Sequence, residues 1–329
     1  MRTLYFLVPG TSGRYWCGGL FAELQTVELA QQLCPAEIVT YQQREPDHLF
    51  LDDLLQRPEL AQAIFVISWG FHIPKLVKRL QGHHVIYHAH SCGYGFRLPS
   101  EIPIITVSRN SMGYWGQRSP NSLIYYLPNP VASEFTKLHR PRDIDVLVQS
   151  RKSSTYLMTQ LVPALQRQCH VVVLDRFVED LAGLFNRTKV YLYDSAEYWA
   201  TSRVSEGFGL PPMEAMACGA EVFSSVNSAL ADYLDPGFNC HKIGCYATDY
   251  DVERILTVIA ADHQGLSQAA LLPYRAPQIT QRLEVILREI NCFFDRIDSY
   301  AADVPGLSPA RLLRLRLQQL AAKVQKKLR

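Results

Sequence analysis

Short apolar runs rich in β-branched and aromatic residues alternate with longer stretches whose apolar positions recur every three or four residues, which predicts parallel βαβ architecture. The runs fall into two series. The first predicts strands at 3–8, 37–41, 64–68, 84–88, 104–107 and 123–127. A helix beginning near Gly18-Gly19 carries Leu20, Leu24, Val27, Ala30 and Cys34 at the spacing of a helix packed on a sheet. After Asn129-Pro130 comes an aperiodic basic stretch, 136–142, which holds a helix breaker at Pro141 and reads as a linker. The second series predicts strands at 145–148, 170–174, 189–193 and 221–223, and helices around 155–166, 211–217, 252–261 and 281–294. The chain then divides into 1–135, 136–300 and a tail, 301–329. Two doubly wound, Rossmann-like halves are expected to face each other, with ligands at the carboxyl ends of the strands.

Composition narrows the class. With 329 residues, 48% hydrophobic and 19% charged, the chain has material for two ordinary cores and is neither disordered nor fibrous. Thirty-three basic residues against 31 acidic ones give a charge of +2, too little for nucleic-acid binding by bulk electrostatics. The charge is uneven. From Val304 onward lie seven basic residues and no acidic one, which leaves 26 basic and 31 acidic residues over 1–303. The eight cysteines are scattered among apolar neighbours without a C-x-x-C pair, the usage of a reducing compartment. The first ten residues hold one basic residue and a short apolar run, and no stretch approaches the ~18 apolar residues of a membrane span. A cytoplasmic location is expected, with peripheral attachment at the membrane inner face left open.

The most informative segment is Ser205-Glu206-Gly207-Phe208-Gly209-Leu210-Pro211-Pro212-Met213-Glu214-Ala215-Met216-Ala217-Cys218-Gly219, after a strand and a polar loop. Two glycines one residue apart allow close backbone approach to a ligand, and the proline pair begins a helix whose first amides have no partner. That makes an anion site. Glu206 and Glu214 flank it, so amides could hold a diphosphate while carboxylates accept from hydroxyls on either side, a division of labour that suits a sugar nucleotide. The plainer alternative is a tight turn with Glu214 complementing the helix dipole.

Glu206 and Glu214 in E-G-F-G-L-P-P-M-E-A-M-A-C-G resemble the donor-site motif of retaining GT-B glycosyltransferases of the family 4 group (glycosyl transferases group 1). Weaker likeness runs over about 1–240, through Gly18-Gly19, the strand ending in His90, Val107-Ser108 and Leu127-Pro128-Asn129. The resemblance implies that Glu206 contacts the transferred sugar, that Gly207, Phe208, Gly209 and Leu210 hold sugar and diphosphate through backbone amides, and that Glu214 binds the ribose. It implies a cationic pair, Arg then Lys five positions on, at the diphosphate. Arg151 matches, but the lysine position holds Tyr156, and the adjacent Lys152 is the candidate substitute. Asn129-Pro130 and Ala220-Glu221 also depart from the family pattern. Phe177, after a strand, resembles the place where backbone meets the base. His90 is implied to line the cleft beside the donor sugar.

Other features are less specific. His84, His88 and His90 share one parity of a strand, but no third ligand stands at a telling spacing, so no metal site is expected. Gly18 and Gly19 fit either diphosphate contact across the cleft or an ordinary strand-to-helix turn. In the tail, Ser308-Pro309 starts a basic amphipathic helix with Leu313, Leu317, Leu320, Val324 and Leu328 in one stripe. Packing on its own protein, pairing with another chain and lying on an anionic membrane all remain open. The expected function is metal-independent sugar transfer with retention, from a nucleotide-diphosphate sugar to a hydroxyl of a glycan or lipid-linked glycan acceptor. No cofactor or nucleic-acid partner is expected. The alternative is a non-catalytic sugar-nucleotide sensor or scaffold on the same fold.

Overall fold

The structure, a computed structural model, describes residues 1–261 and 268–327. Two wholly parallel sheets form it. The first contains β1 (Leu4–Val8), β2 (Ala36–Thr40), β3 (Leu49–Phe50), β4 (Ile64–Ile67), β5 (His84–Ala89), β6 (Ile104–Thr106) and β7 (Ile124–Tyr126), in the order β3-β2-β1-β4-β5-β6-β7. The second contains β8 (Ile144–Gln149), β9 (Val171–Leu174), β10 (Thr188–Tyr193), β11 (Glu221–Ser224) and β12 (His241–Lys242), in the order β12-β11-β10-β8-β9. Every residue of β4 is buried, as expected of a strand covered on both faces by helices. In the second sheet the order reverses between β8 and β10, so a crevice opens beyond their carboxyl ends.

Helices cover the sheets. Helix Gly18–Gln31 buries Leu20, Val27 and Ala30 as expected and ends before Cys34. The helical stretch expected at 155–166 begins instead as a π-helical turn, Leu157–Leu161, before an α-helical turn, Val162–Gln166. Pro163 explains this, because it has no N–H for the preceding turn and its ring crowds the carbonyl four residues back.

One helix corrects the expected division of the chain. Ala276–Ile297 follows the second sheet in sequence, yet its Ile279, Leu283, Ile286, Leu287, Ile290 and Phe294 are buried among Leu4, Phe6, Val66, Ile86 and Ile105 of the first. The end of the 136–300 segment thus completes the first half's core. Arg2 fastens it further by donating to Asn291 and pairing with Asp295. Helix Pro309–Lys327 leaves its stripe uncovered, with Leu313, Leu317, Leu320 and Val324 each more than half exposed. Packing of that stripe on its own chain is therefore not what the structure shows. Leu328 and Arg329 of the tail lie outside the described residues.

Candidate active site

The donor-motif loop lies beyond the carboxyl end of β10, after a short helix, Ala196–Ser202. Gly207 is pressed against the end of β5: a Cβ there would lie 1.5 Å from the His90 carbonyl oxygen, which no other residue could accommodate. Neighbouring contacts lock the same seam. Ser91 Oγ donates to the Ser205 carbonyl at 2.6 Å, and the Ser205 amide donates to the Cys92 carbonyl at 3.1 Å. Gly209 takes a left-handed φ of +81°, and helix Leu210–Ala217 starts immediately after it with prolines in its first turn. The amides of Gly207, Phe208, Gly209 and Leu210 donate to no group among the described residues.

Glu206 sits at the bottom of this loop, 6% exposed. Its Oε2 accepts from Tyr193 Oη at 2.6 Å and from Trp199 Nε1 at 2.7 Å. Its Oε1 faces Lys152 Nζ at 3.8 Å. Lys152 stands just past β8 with a φ of 68°, and its ammonium lies 4.4 Å from the centre of the Trp199 ring. The left-handed turn aims Lys152 at the motif, whereas Arg151 is exposed. Tyr156, in the position expected to be lysine, donates to Asp251 Oδ2 at 3.1 Å and belongs to the packing beneath helix Thr248–Ala260. Burial, then the adjacent Asp251, pushes its phenol up to about 12.

Glu214, one turn into helix Leu210–Ala217 rather than in its first turn, is a partly covered carboxyl pushed up to about 8 by burial, with Glu134 adding to the shift. Opposite the motif, at the end of β5, His88 Nδ1 and His90 Nε2 both lie on Glu23 Oε2, at 2.5 and 2.8 Å. Burial alone would raise the Glu23 carboxyl, but the charge and hydrogen bonds of His88, with those of His90, bring it down to about 2. Glu23 is thus a carboxylate accepting two ring N–H groups. His90 is shifted down by burial and by His88, and its Nδ1 is buried without a partner.

The three ligand atoms of Glu23, His88 and His90 lie within 4.8 Å of one another, so Glu23 is the third candidate metal ligand that spacing did not reveal. The contacts are those of a hydrogen-bonded triad. Glu23 Oε1 and His88 Nε2 are buried without partners, so the outer support that usually orients metal-bound carboxylates and imidazoles is missing.

The fold therefore gathers Glu206, Lys152, Gly207 and His90 at one seam, with Glu214 one helical turn along. It does not gather every candidate. Phe208 is buried against Tyr233 and Tyr274, and Leu210 packs on the same core, so both offer backbone only. Phe177 is 78% exposed. Gly18 and Gly19 begin their helix exposed, with open space where a Gly18 side chain would project. Sequence reasoning missed Glu23, Tyr193 and Trp199. For Glu23 a signal existed: it occupies the buried face of its helix in step with Leu20, Val27 and Ala30, where a lone charge needs a partner.

Residues 156–261, which include this loop and helix, match the family described as glycosyl transferases group 1. A segment of 87 residues is 32% identical to serotype-specific mannosyltransferase WbdA of Escherichia coli, covering 26% of this chain and 9% of that protein. Over longer spans the likeness is structural. Sucrose-phosphate synthase from Thermosynechococcus elongatus superposes with a TM-score of 0.62 at 12% identity, over 89% of this chain and all of that one. Anabaena HepE, in complex with UDP and glucose, superposes with a TM-score of 0.60 at 15% identity, over 88% of this chain and all of HepE. The chain has the GT-B fold. The matched segment begins at Tyr156, so Lys152 lies just before it, and Glu206 and Glu214 lie inside it. The likeness drawn from the E-G-F-G-L-P-P-M-E run thus extends to the fold.

Proposed function

We propose that this GT-B protein transfers a sugar from a nucleoside-diphosphate sugar to a hydroxyl of a glycan or lipid-linked glycan, with retention and without a metal, in cytoplasmic polysaccharide assembly. The observation that carries this reading is the run of four amides, 207–210, without an acceptor among the described residues, bracketed by Glu206 and Glu214 beside the β8/β10 switch point. The diphosphate takes those amides. Glu214 accepts from the ribose hydroxyls. Glu206, with Oε2 already committed to Tyr193 and Trp199, offers Oε1 to the sugar. Lys152 supplies the cation that offsets charge on the departing phosphate, and His90 positions the sugar. As the bond from sugar carbon to phosphate oxygen breaks, that oxygen takes the acceptor's proton, and the acceptor oxygen bonds the same face of the sugar. Gly18, Gly19 and Arg151 face the diphosphate from the margins, and the backbone near Phe177 meets the base. The UDP and glucose held by HepE, and the mannosyl transfer in WbdA's name, make nucleotide-linked glucose and mannose, with uracil and guanine as bases, the first donors to try.

A second reading has one observation in its favour: Tyr156 is turned to Asp251 and adds no cation to the site. A protein lacking that charge would bind sugar nucleotides without turnover. Thermal-shift screening of UDP, GDP, ADP and their sugars tests the shared part of both readings. A ligand at about 100 times its Kd is expected to stabilise the wild type by ~2.7 kcal/mol, and Glu214→Ala much less. If none of these ligands shifts the wild type, both readings fail.

A further inference from the structure

We propose that helix Pro309–Lys327 is a membrane-surface anchor that lays its leucine stripe into an anionic bilayer. Leu313, Leu317, Leu320 and Val324 recur at four-, three- and four-residue steps, so they form one face, and that face is 57–60% exposed. Exposed linker residues such as Tyr300 and Val304 separate it from the body. An apolar stripe of this kind needs a cover.

Charge decides which cover fits. Arg311, Arg314, Arg316, Lys323 and Lys326 surround the stripe, and the helix contains no acidic residue. In a helix pair with a second copy, Arg314, Arg316 and Lys323 flank the seam and meet no acidic partner, so like charges crowd the interface. Nucleic acid would satisfy the charges and leave the leucines exposed. A bilayer of anionic lipids satisfies both, taking the stripe between its headgroups and the guanidinium and ammonium groups at its surface. The rest of the chain has 26 basic residues against 31 acidic ones, so it gains no general attraction to such a surface and the tail acts as a local tether. No helix among the described residues is long and apolar enough to cross a membrane, so the contact is interfacial.

The test is co-sedimentation of the full chain with vesicles of phosphatidylglycerol and phosphatidylcholine, and of phosphatidylcholine alone, at low and high salt. Binding is expected to the anionic vesicles only, weakened by salt. Lys323→Glu with Lys326→Glu should reduce partitioning at least 25-fold, at about fivefold per basic residue. Leu317→Asp with Leu320→Asp should abolish it while leaving the melting temperature and nucleotide binding unchanged, because both side chains are exposed. Failure of the wild type to sediment with anionic vesicles at low salt overturns the proposal. So does a dimer in analytical ultracentrifugation that the leucine variant dissolves, or a loss of fold in that variant.

Discussion

At the scale of single residues, the site's chemistry turns on which carboxylate oxygen is free. Tyr193 and Trp199 both occupy Oε2 of Glu206, so Oε1 and Lys152 remain to meet a ligand. Glu206→Gln is expected to lower transfer sharply while nucleoside diphosphate binding, measured by calorimetry, stays near wild type. Lys152→Ala should cost about 100-fold in kcat, the usual effect of removing one donor to developing charge. The exposed Arg151 should cost far less when changed to Ala, and equal losses at both positions would show that the turn after β8 moves on binding. Glu214 makes a pH prediction. Its folded pKa, about 8, lies above the unfolded carboxyl's 4.5, so its contribution to stability is full below pH 4.5 and lost as pH rises through 8. Melting curves across pH 4.5–8.5 should therefore fall more steeply for the wild type than for Glu214→Gln. Ribose hydroxyls donating to the carboxylate would favour its charged form. Donor affinity should then rise with pH up to about 8 and binding should release a proton, visible as a buffer-dependent heat.

At the scale of elements, the seam between the end of β5 and the donor loop is the tightest constraint. Gly207→Ala would drive a methyl group into the His90 carbonyl, and separation of the two segments is expected to lower both melting temperature and donor affinity. Unchanged values for both would mean that the seam opens freely. The positions of most strands were legible because runs such as Ile64-Phe65-Val66-Ile67 are apolar without interruption. β3 and β12 were not, since two residues at a sheet edge carry no period. The donor loop was legible through its glycines, prolines and paired carboxylates. The histidine triad was only half legible, because Glu23 reaches His88 and His90 across 65 and 67 residues of chain and only the fold supplies that contact. The aim of Lys152 depends on a left-handed φ that residue type does not announce.

At the scale of the whole molecule, the two halves are tied by exchange. Helix Ala276–Ile297 returns from the second half to close the first half's core, which explains why periodicity alone assigned it to the wrong half: an amphipathic helix shows that it packs, but not on which sheet. Leu287→Ala, at a position 2% exposed, is expected to destabilise by ~2–5 kcal/mol in denaturant melts. The destabilisation should appear in probes of the first sheet, such as the buried Trp115. A loss confined to the second half would contradict this packing. Sugar transfer by the assembled cleft is the proposed activity. The most direct measurement is incubation of the full chain with UDP- and GDP-hexoses and a hydroxyl acceptor, following nucleoside diphosphate release and the product's anomeric configuration by NMR. Release is expected to depend on Glu206, and the product to keep the donor's configuration; tight donor binding with no turnover, or an inverted product, would contradict sugar transfer with retention.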